Sequence, residues 1–308
     1  MKAIIKVFLS LVLFLSGCAP QKDYESEKQE TQIVQPLERY ISENDMEDYI
    51  NEEVNLAIDL GNQFIVMDAT NALGNVKDAM IAIRQKNYRN AREHLTQAMG
   101  IVELLLRANQ KSALAGVNAE INLGVKNAKE AYSIINELDS LFKNKEYQKV
   151  RDLASLLSNE ILITRESLSI SKFNEVLNQA DQYFRAKNYG RALQELHNVL
   201  ATTSFEYTIL PLPVVRAERM IAEAVTLIDK EELEYDNIEI LLNNAAYEIK
   251  FAELLGYGKQ ETNLRSLVQK IESLKKSVSE KNDTVLREDI KDLNESINQT
   301  KKDFSEVD

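Results

Sequence analysis

The sequence contains no tryptophan, four prolines, nine glycines, two histidines and one cysteine. Each scarcity excludes something. With a single thiol the chain forms no internal disulfide, so its stability has to come from packing. Few glycines and prolines leave little of the loop material on which most active sites are assembled. No glycine-rich phosphate loop, HExxH pair or nucleophile elbow is present. His94 and His197 have no cysteine or carboxylate at metal-ligand or triad spacing, and the adjacent carboxylates Glu52-Glu53 and Glu231-Glu232-Glu234 read as acidic first turns and solvated faces. These absences predict a protein that is not an enzyme and holds neither metal nor cofactor. Basic residues are the minority as well, 37 Lys and Arg against 49 Asp and Glu, for a net charge of -12. Nucleic acid is thereby excluded as a partner, and anionic lipid would repel the body of the chain.

What is present begins with an address. Lys2 and Lys6 precede an apolar run from Val7 to Leu15 that is too short to span a bilayer and has the form of a secretory leader. The run ends in Leu15-Ser16-Gly17-Cys18, which resembles the lipobox of bacterial lipoproteins. That resemblance implies cleavage before Cys18 and lipid attachment to its thiol. Two or three acyl chains, at about 0.8 kcal/mol per buried methylene, give a stable anchor. By the same resemblance, Ala19 in the second mature position implies the outer membrane, facing the periplasm, in a cell with two membranes. The expected organisation is a lipoprotein signal peptide over 1–17, an acylated N-terminus and disordered tether over 18–45, a helical domain over 46–258 and a C-terminal helical hairpin over 259–308.

The body is built on a recurring box. Lys187-Asn188-Tyr189 with Ala192 and Leu196 is matched by Lys86-Asn87-Tyr88 with Ala91 and Leu95, by Lys145-Glu146-Tyr147 with Val150, and by a worn copy at Tyr235 with Ile238 and Leu242. An apolar residue five places before the tyrosine (Ile83, Phe142, Phe184) closes one helix, Lys and Asn suit its C-terminal cap, and the tyrosine opens the next. The spacing predicts an all-α fold of antiparallel helical hairpins, with helices over 46–60, 69–84, 88–107, 125–142, 147–168, 173–185, 189–208, 214–227 and 235–255. Tetratricopeptide repeats resemble this through Tyr-x-x-Ala, although the intervals between boxes are unequal. Beyond Gly258 the heptad positions Leu264, Leu267, Ile271, Leu274 and Val278, then Ile290, Leu293, Ile297 and Phe304, predict a helical hairpin. Its arms are too short for a free coiled coil, so they fold on each other, on the body or on a second subunit, and a homo-oligomer is one outcome.

Two stretches interrupt the helical period. Val117, Ala119, Ile121 and Leu123 alternate with polar residues as a strand would, without a partner that the sequence names. Phe205, Tyr207 and Ile209 also alternate ahead of Pro211-Leu212-Pro213, yet Leu196, Leu200, Thr203, Tyr207 and Leu210 continue a helix, and the helical reading is the one taken. Phe205, Tyr207, Leu212 and, near the Leu255-Gly256-Tyr257-Gly258 turn, Tyr257 are the candidate binding residues, because prolines fix the backbone that presents them.

Ile209-Leu210-Pro211-Leu212-Pro213-Val214-Val215-Arg216-Ala217-Glu218 and the Leu-Gly-Tyr-Gly turn resemble hallmarks of the YfdX family of bacterial envelope proteins. That resemblance implies a mostly helical, exported, stress-associated protein with a chaperone-like action and no catalytic reaction. The lipobox, the tether, the helix before residue 62 and the segment beyond Gly258 depart from the family's pattern. The expected function is binding of envelope proteins or peptides by a lipid-anchored protein. The alternative is a scaffold or accessory lipoprotein that recruits one specific envelope partner through its C-terminal hairpin, and a third class is an enzyme or small-ligand receptor in an interhelical cleft.

Overall fold

The corners of the chain explain its shape. In the structure, a computed structural model that describes residues 33–36, 38–258 and 264–305, Lys86, Lys145, Lys187 and Lys281 all sit in the left-handed region, at φ 59°, 61°, 57° and 53°. Each ends a helix with the paired backbone bonds of a Schellman turn, as in Lys86 N to Ile83 O and Asn87 N to Ala82 O. Where an asparagine follows, it caps the next helix, its side chain accepting from Asn90 N at Asn87 and from Arg191 N at Asn188, whereas Glu146 after Lys145 makes no such side-chain bond. One Lys-Asn dipeptide therefore closes one helix and opens another. The polar turn at Lys281-Asn282 belongs to the same set, Asn282 accepting from Val285 N.

Helices α1 (Glu43–Asn62), α2 (Met67–Arg84) and α3 (Tyr88–Arg107) are followed by strand β1 (Ser112–Leu123). The hairpin of α4 (Ala128–Lys143) and α5 (Tyr147–Ala154) leads to β2 (Asn159–Ser169), and that of α6 (Ile170–Arg185) and α7 (Tyr189–Leu200) leads to β3 (Thr203–Pro211). Two hairpins without strands complete the chain, α8 (Leu212–Ile228) with α9 (Tyr235–Leu254) and α10 (Leu264–Ser279) with α11 (Asp283–Ser305). The predicted helices agree with this order except in two places, and those overturn the all-α expectation. Residues Asn159–Ser169 and Thr203–Pro211 are strands, which join β1 in an antiparallel sheet of order β1-β2-β3. The chain is thus mostly helical with a small sheet. The physical reason is that the alternating segment at 117–123 needs a partner for its backbone, and the β-branched run Ile161, Ile163, Thr164 supplies one. Ile121 lies opposite Ile161 and Ala119 opposite Ile163, after a bulge between Leu114 and Gly116.

Three cores hold these parts. The first joins α2, α3, α6 and α7 and reaches Ala113, Ala115 and Leu168 at one end of the sheet. At its middle the box tyrosines Tyr88 and Tyr189 stack with centroids 3.7 Å apart, and Phe184 meets Tyr189 edge-on. The second joins α8 and α9 to α10 and α11. The heptad residues of the C-terminal hairpin, with Phe304 only half-buried, pack there against the body as well as each other. The third lies under the sheet's inner face, where Ile161, Ile163 and Leu210 meet Met46 and Ile50 of α1 and Leu212 and Val215 of α8. Gly61 lets α1 approach closely, since a Cβ there would come 2.7 Å from Val117.

An ion cluster ties the first and last described helices to this frame. Lys301 Nζ of α11 lies 2.7 Å from Glu53 Oε2 of α1 and 2.6 Å from Glu218 Oε2 of α8. Tyr49 of α1 donates its hydroxyl proton to the same Glu218 oxygen at 3.1 Å, and Arg219 lies over the Tyr49 ring. Burial and the nearby carboxylates push the Tyr49 hydroxyl well above the usual tyrosine range, so it is a donor at any pH the protein meets.

Candidate interaction surface

The antiparallel register sorts the sheet's residues onto two faces. Ile161, Ile163, Thr208 and Leu210 point inward and are buried. On the outer face Ile209 sits opposite Leu162, Tyr207 opposite Thr164 and Phe205 opposite Glu166. The four-helix core covers this face only at the Leu168 end. Elsewhere Leu162, Tyr207 and Ile209 are half-exposed and Phe205 is 49% exposed. The result is an apolar row on an open sheet face, held by β2 on one side and stopped by Pro211, which also ends the strand by starting α8.

The four candidate residues therefore divide. Phe205 and Tyr207 do share one accessible face, on a strand and not on the predicted helix. Leu212 is fully buried in the core beneath the sheet, so the expectation that it lines a binding edge is corrected: its position in the first turn of α8 points it inward. Tyr257 is also corrected. Its hydroxyl accepts from Asn159 N at 3.0 Å and donates to Glu160 Oε2 at 2.8 Å, which fastens the start of β2. Burial and then the Glu160 charge push that hydroxyl far above its ordinary value, so the proton stays to make the bond. Gly256, in the left-handed region at φ 91°, makes the turn that aims it. Tyr247 performs the same service for α4, accepting from Ala128 N at 3.1 Å. Sequence reasoning missed Leu162 and Ile209. Parity with Phe205 and Tyr207 would have found them, once 159–169 was read as a strand.

Both histidines and Asp181 are occupied structurally. His94 Nδ1 lies 3.2 Å from Asn75 Oδ1 and Arg84 donates to His197 Nε2 at 2.9 Å, tying α2 to α3 and to α7. Asp181 takes Arg92 and Arg185, each at 2.6 Å. Among the described residues no group of three or more His, Cys, Asp or Glu is placed to hold a metal ion. A crevice between α10 and α11, lined by Lys270, Ser296 and Asp303, has a volume of 150 Å³, below the roughly 300–1,000 Å³ of ordinary ligand pockets. Lys270 bridges its two walls by bonding Asp292 and Ser296.

The exposures make a paired prediction. Phe205→Ala should change stability by under about 1 kcal/mol, as a surface substitution does, whereas Leu212→Ala should cost about 2–5 kcal/mol through loss of core contacts. Urea titrations of the two variants followed by circular dichroism check this.

The fold and the outer face define a class, a mainly helical protein with a small antiparallel sheet and a partly exposed apolar strip. Within that class, residues 72–209 match the family model described as YfdX protein. The matched stretch runs from within α2 to most of β3 and so contains all or most of each sheet strand. A solved structure of Salmonella Typhi YfdX is similar at 11% identity over 48% of this chain and 93% of that one, with a TM-score of 0.33. Among curated proteins none matches.

Proposed function

We propose that the protein is a lipid-anchored envelope protein of YfdX type that binds unfolded proteins or peptides on its open sheet face, in a chaperone-like and stress-associated role without catalysis. The observation that carries this reading is the row of exposed Phe205 with half-exposed Tyr207, Ile209 and Leu162, on the stretch of the outer face between its Leu168 end, under the four-helix core, and its Glu160 end, where Tyr257 packs. An exposed apolar strip with polar neighbours is the surface on which proteins meet other proteins. The family match over 72–209 supports it, because the strands that build the face fall almost wholly inside the match. Lys301 and the second core fix the segments outside the match onto the body, so the apolar side of the C-terminal hairpin is already occupied, which favours the sheet face over that hairpin as the docking element. The test is suppression of aggregation of a test protein diluted from urea. Phe205→Ala should keep the wild-type melting temperature and lose most of the suppression, whereas full suppression by the folded variant would refute the reading.

Attachment to the membrane rests on the lipobox. Cys18, the leader and most of the tether lie outside the described residues, and no helix among the described residues is long and apolar enough to cross a membrane. Cys18→Ser should abolish incorporation of radiolabelled palmitate and release the protein from membrane pellets into the soluble fraction. Label retained on the variant would contradict the anchor.

A further inference from the structure

β3 is the last strand of the sheet. Its register partners lie on β2 alone, and among the described residues no backbone hydrogen bond reaches it from the opposite side. Helices α8 and α11 pack against β3, with Phe304 of α11 reaching the core under the inner face, but over Ser204, Phe205 and Glu206 the strand is exposed. Alternate residues of an edge strand direct their N–H and C=O groups outward, so this edge is a template for a further strand. Natural proteins blunt such edges with lysine, proline or a covering element. Here Pro211 stands at the far end, and the open half carries serine, phenylalanine and glutamate.

On the outer face beside the edge the charges have one sign. The outward residues of the sheet include Glu120, Glu160 and Glu166 and no lysine or arginine. Glu206, exposed on the edge itself, forms no ion pair among the described residues, although Arg165 is its register partner on β2. A second copy of this chain would bring a glutamate-bearing edge of the same kind, and the whole molecule carries -12. Self-pairing is therefore opposed by charge, and a basic strand is favoured.

We propose that the free edge of β3 takes an extended, basic segment of another protein as a fourth strand, with apolar side chains packed on Phe205, Tyr207 and Ile209 and a lysine or arginine beside Glu206. The inference rests on the protein-binding role stated above and gives its mode and its ligand class. Backbone pairing supplies affinity that does not depend on sequence. The alternating apolar and basic side chains supply selectivity. The preformed strand, held by β2 and ended by Pro211, lowers the ordering cost of the contact.

The test uses fluorescein-labelled, end-blocked seven-residue peptides and the full chain, read by anisotropy. A peptide alternating valine and lysine should bind, and its valine and glutamate counterpart should bind at least tenfold more weakly. N-methylation of alternate amides in one parity should weaken the lysine peptide at least tenfold, and in the other parity by less than twofold, since only one set of N–H groups faces β3. Glu206→Lys should reverse the preference between the two peptides. Equal effects of the two methylation parities, or an unchanged preference in Glu206→Lys, overturns strand addition. If the lysine peptide fails to bind while the chain still suppresses aggregation, the edge proposal falls and the binding role stands; loss of both removes both.

Discussion

Removing everything after Gly258 should leave a chain that cannot reach its native state. Leu264, Leu267, Ile271, Leu274 and Val278 from one arm and Leu286, Ile290, Leu293 and Ile297 from the other are each at most 2% exposed. They share their core with Ile221 and Leu227 of α8 and Leu241 and Ile249 of α9. At about 1.5–3 kcal/mol for each buried aliphatic side chain, the hairpin's gross contribution is on the order of 15 kcal/mol. Ordering its backbone and side chains offsets much of that. Truncation, however, also bares the facing sides of α8 and α9, and a native protein has only about 5–15 kcal/mol in total. The truncated chain should be insoluble, or compact with helical circular dichroism, a broad unfolding transition and binding of a hydrophobic dye. A truncated protein that melts cooperatively near the wild-type temperature would show that the C-terminal hairpin is an appendage.

The second large effect is electrostatic. Lys301 is held between Glu53 and Glu218 in the cluster that joins α1, α8 and α11, and the three side chains are 19%, 12% and 10% exposed. Lys301→Ala removes this counter-charge and leaves two carboxylates largely out of water. Breaking a buried pair from one side costs about 3–5 kcal/mol. For a chain of this size that is a fall in melting temperature on the order of 10 °C. Tyr49 would still donate to Glu218, so the damage should fall mainly on Glu53 and on the docking of α11. Combining Lys301→Met with Glu53→Gln and Glu218→Gln should recover most of the loss, because the same three positions are then neutral. If Lys301→Ala melts within a degree or two of wild type, the cluster is solvated and does not clamp α1 and α11 to α8.

The helices and their corners were legible because their signals are local. Lys-Asn before Tyr, Pro213 in a first helical turn, Gly256 after α9 and the heptads after Gly258 each act within a few residues, and the structure uses all of them. Lys281-Asn282 carried the same signal as Lys86-Asn87, without the tyrosine that would have marked it. The sheet was only half legible. The alternation at 117–123 reads as a strand, but its partner does not: Leu157, Ile161, Thr164 and Leu168 fall at helical spacing, while Ile161 and Ile163 alternate. Leu196, Leu200, Thr203, Tyr207 and Leu210 pose the same ambiguity for β3. Strand pairing between segments distant in sequence decides both cases, and no window of about ten residues contains that information.

The same limit governs the site. Phe205 and Tyr207 stood out by residue type beside the prolines, and the sheet presents them on its outer face. Leu212 and Tyr257 stood out for the same reason and have other occupations, because burial and the Asn159 and Glu160 contacts are tertiary facts. Tyr49, Glu53, Glu218 and Lys301 gave no sign of belonging together, since charged residues on separate helices look alike until the helices pack.

The central claim is that other proteins are bound on the outer face of the sheet. Site-specific photocrosslinking tests it most directly, with benzoylphenylalanine placed at Phe205, at Ile209 or at Phe64, the last being 72% exposed but in the turn after α1. Each folded variant is mixed with a labelled test protein diluted from urea and irradiated. Positions 205 and 209 should give adducts with the test protein and position 64 should give few. Adducts of equal yield at all three positions, or adducts at 64 with none at 205 and 209, would place binding somewhere other than the open face.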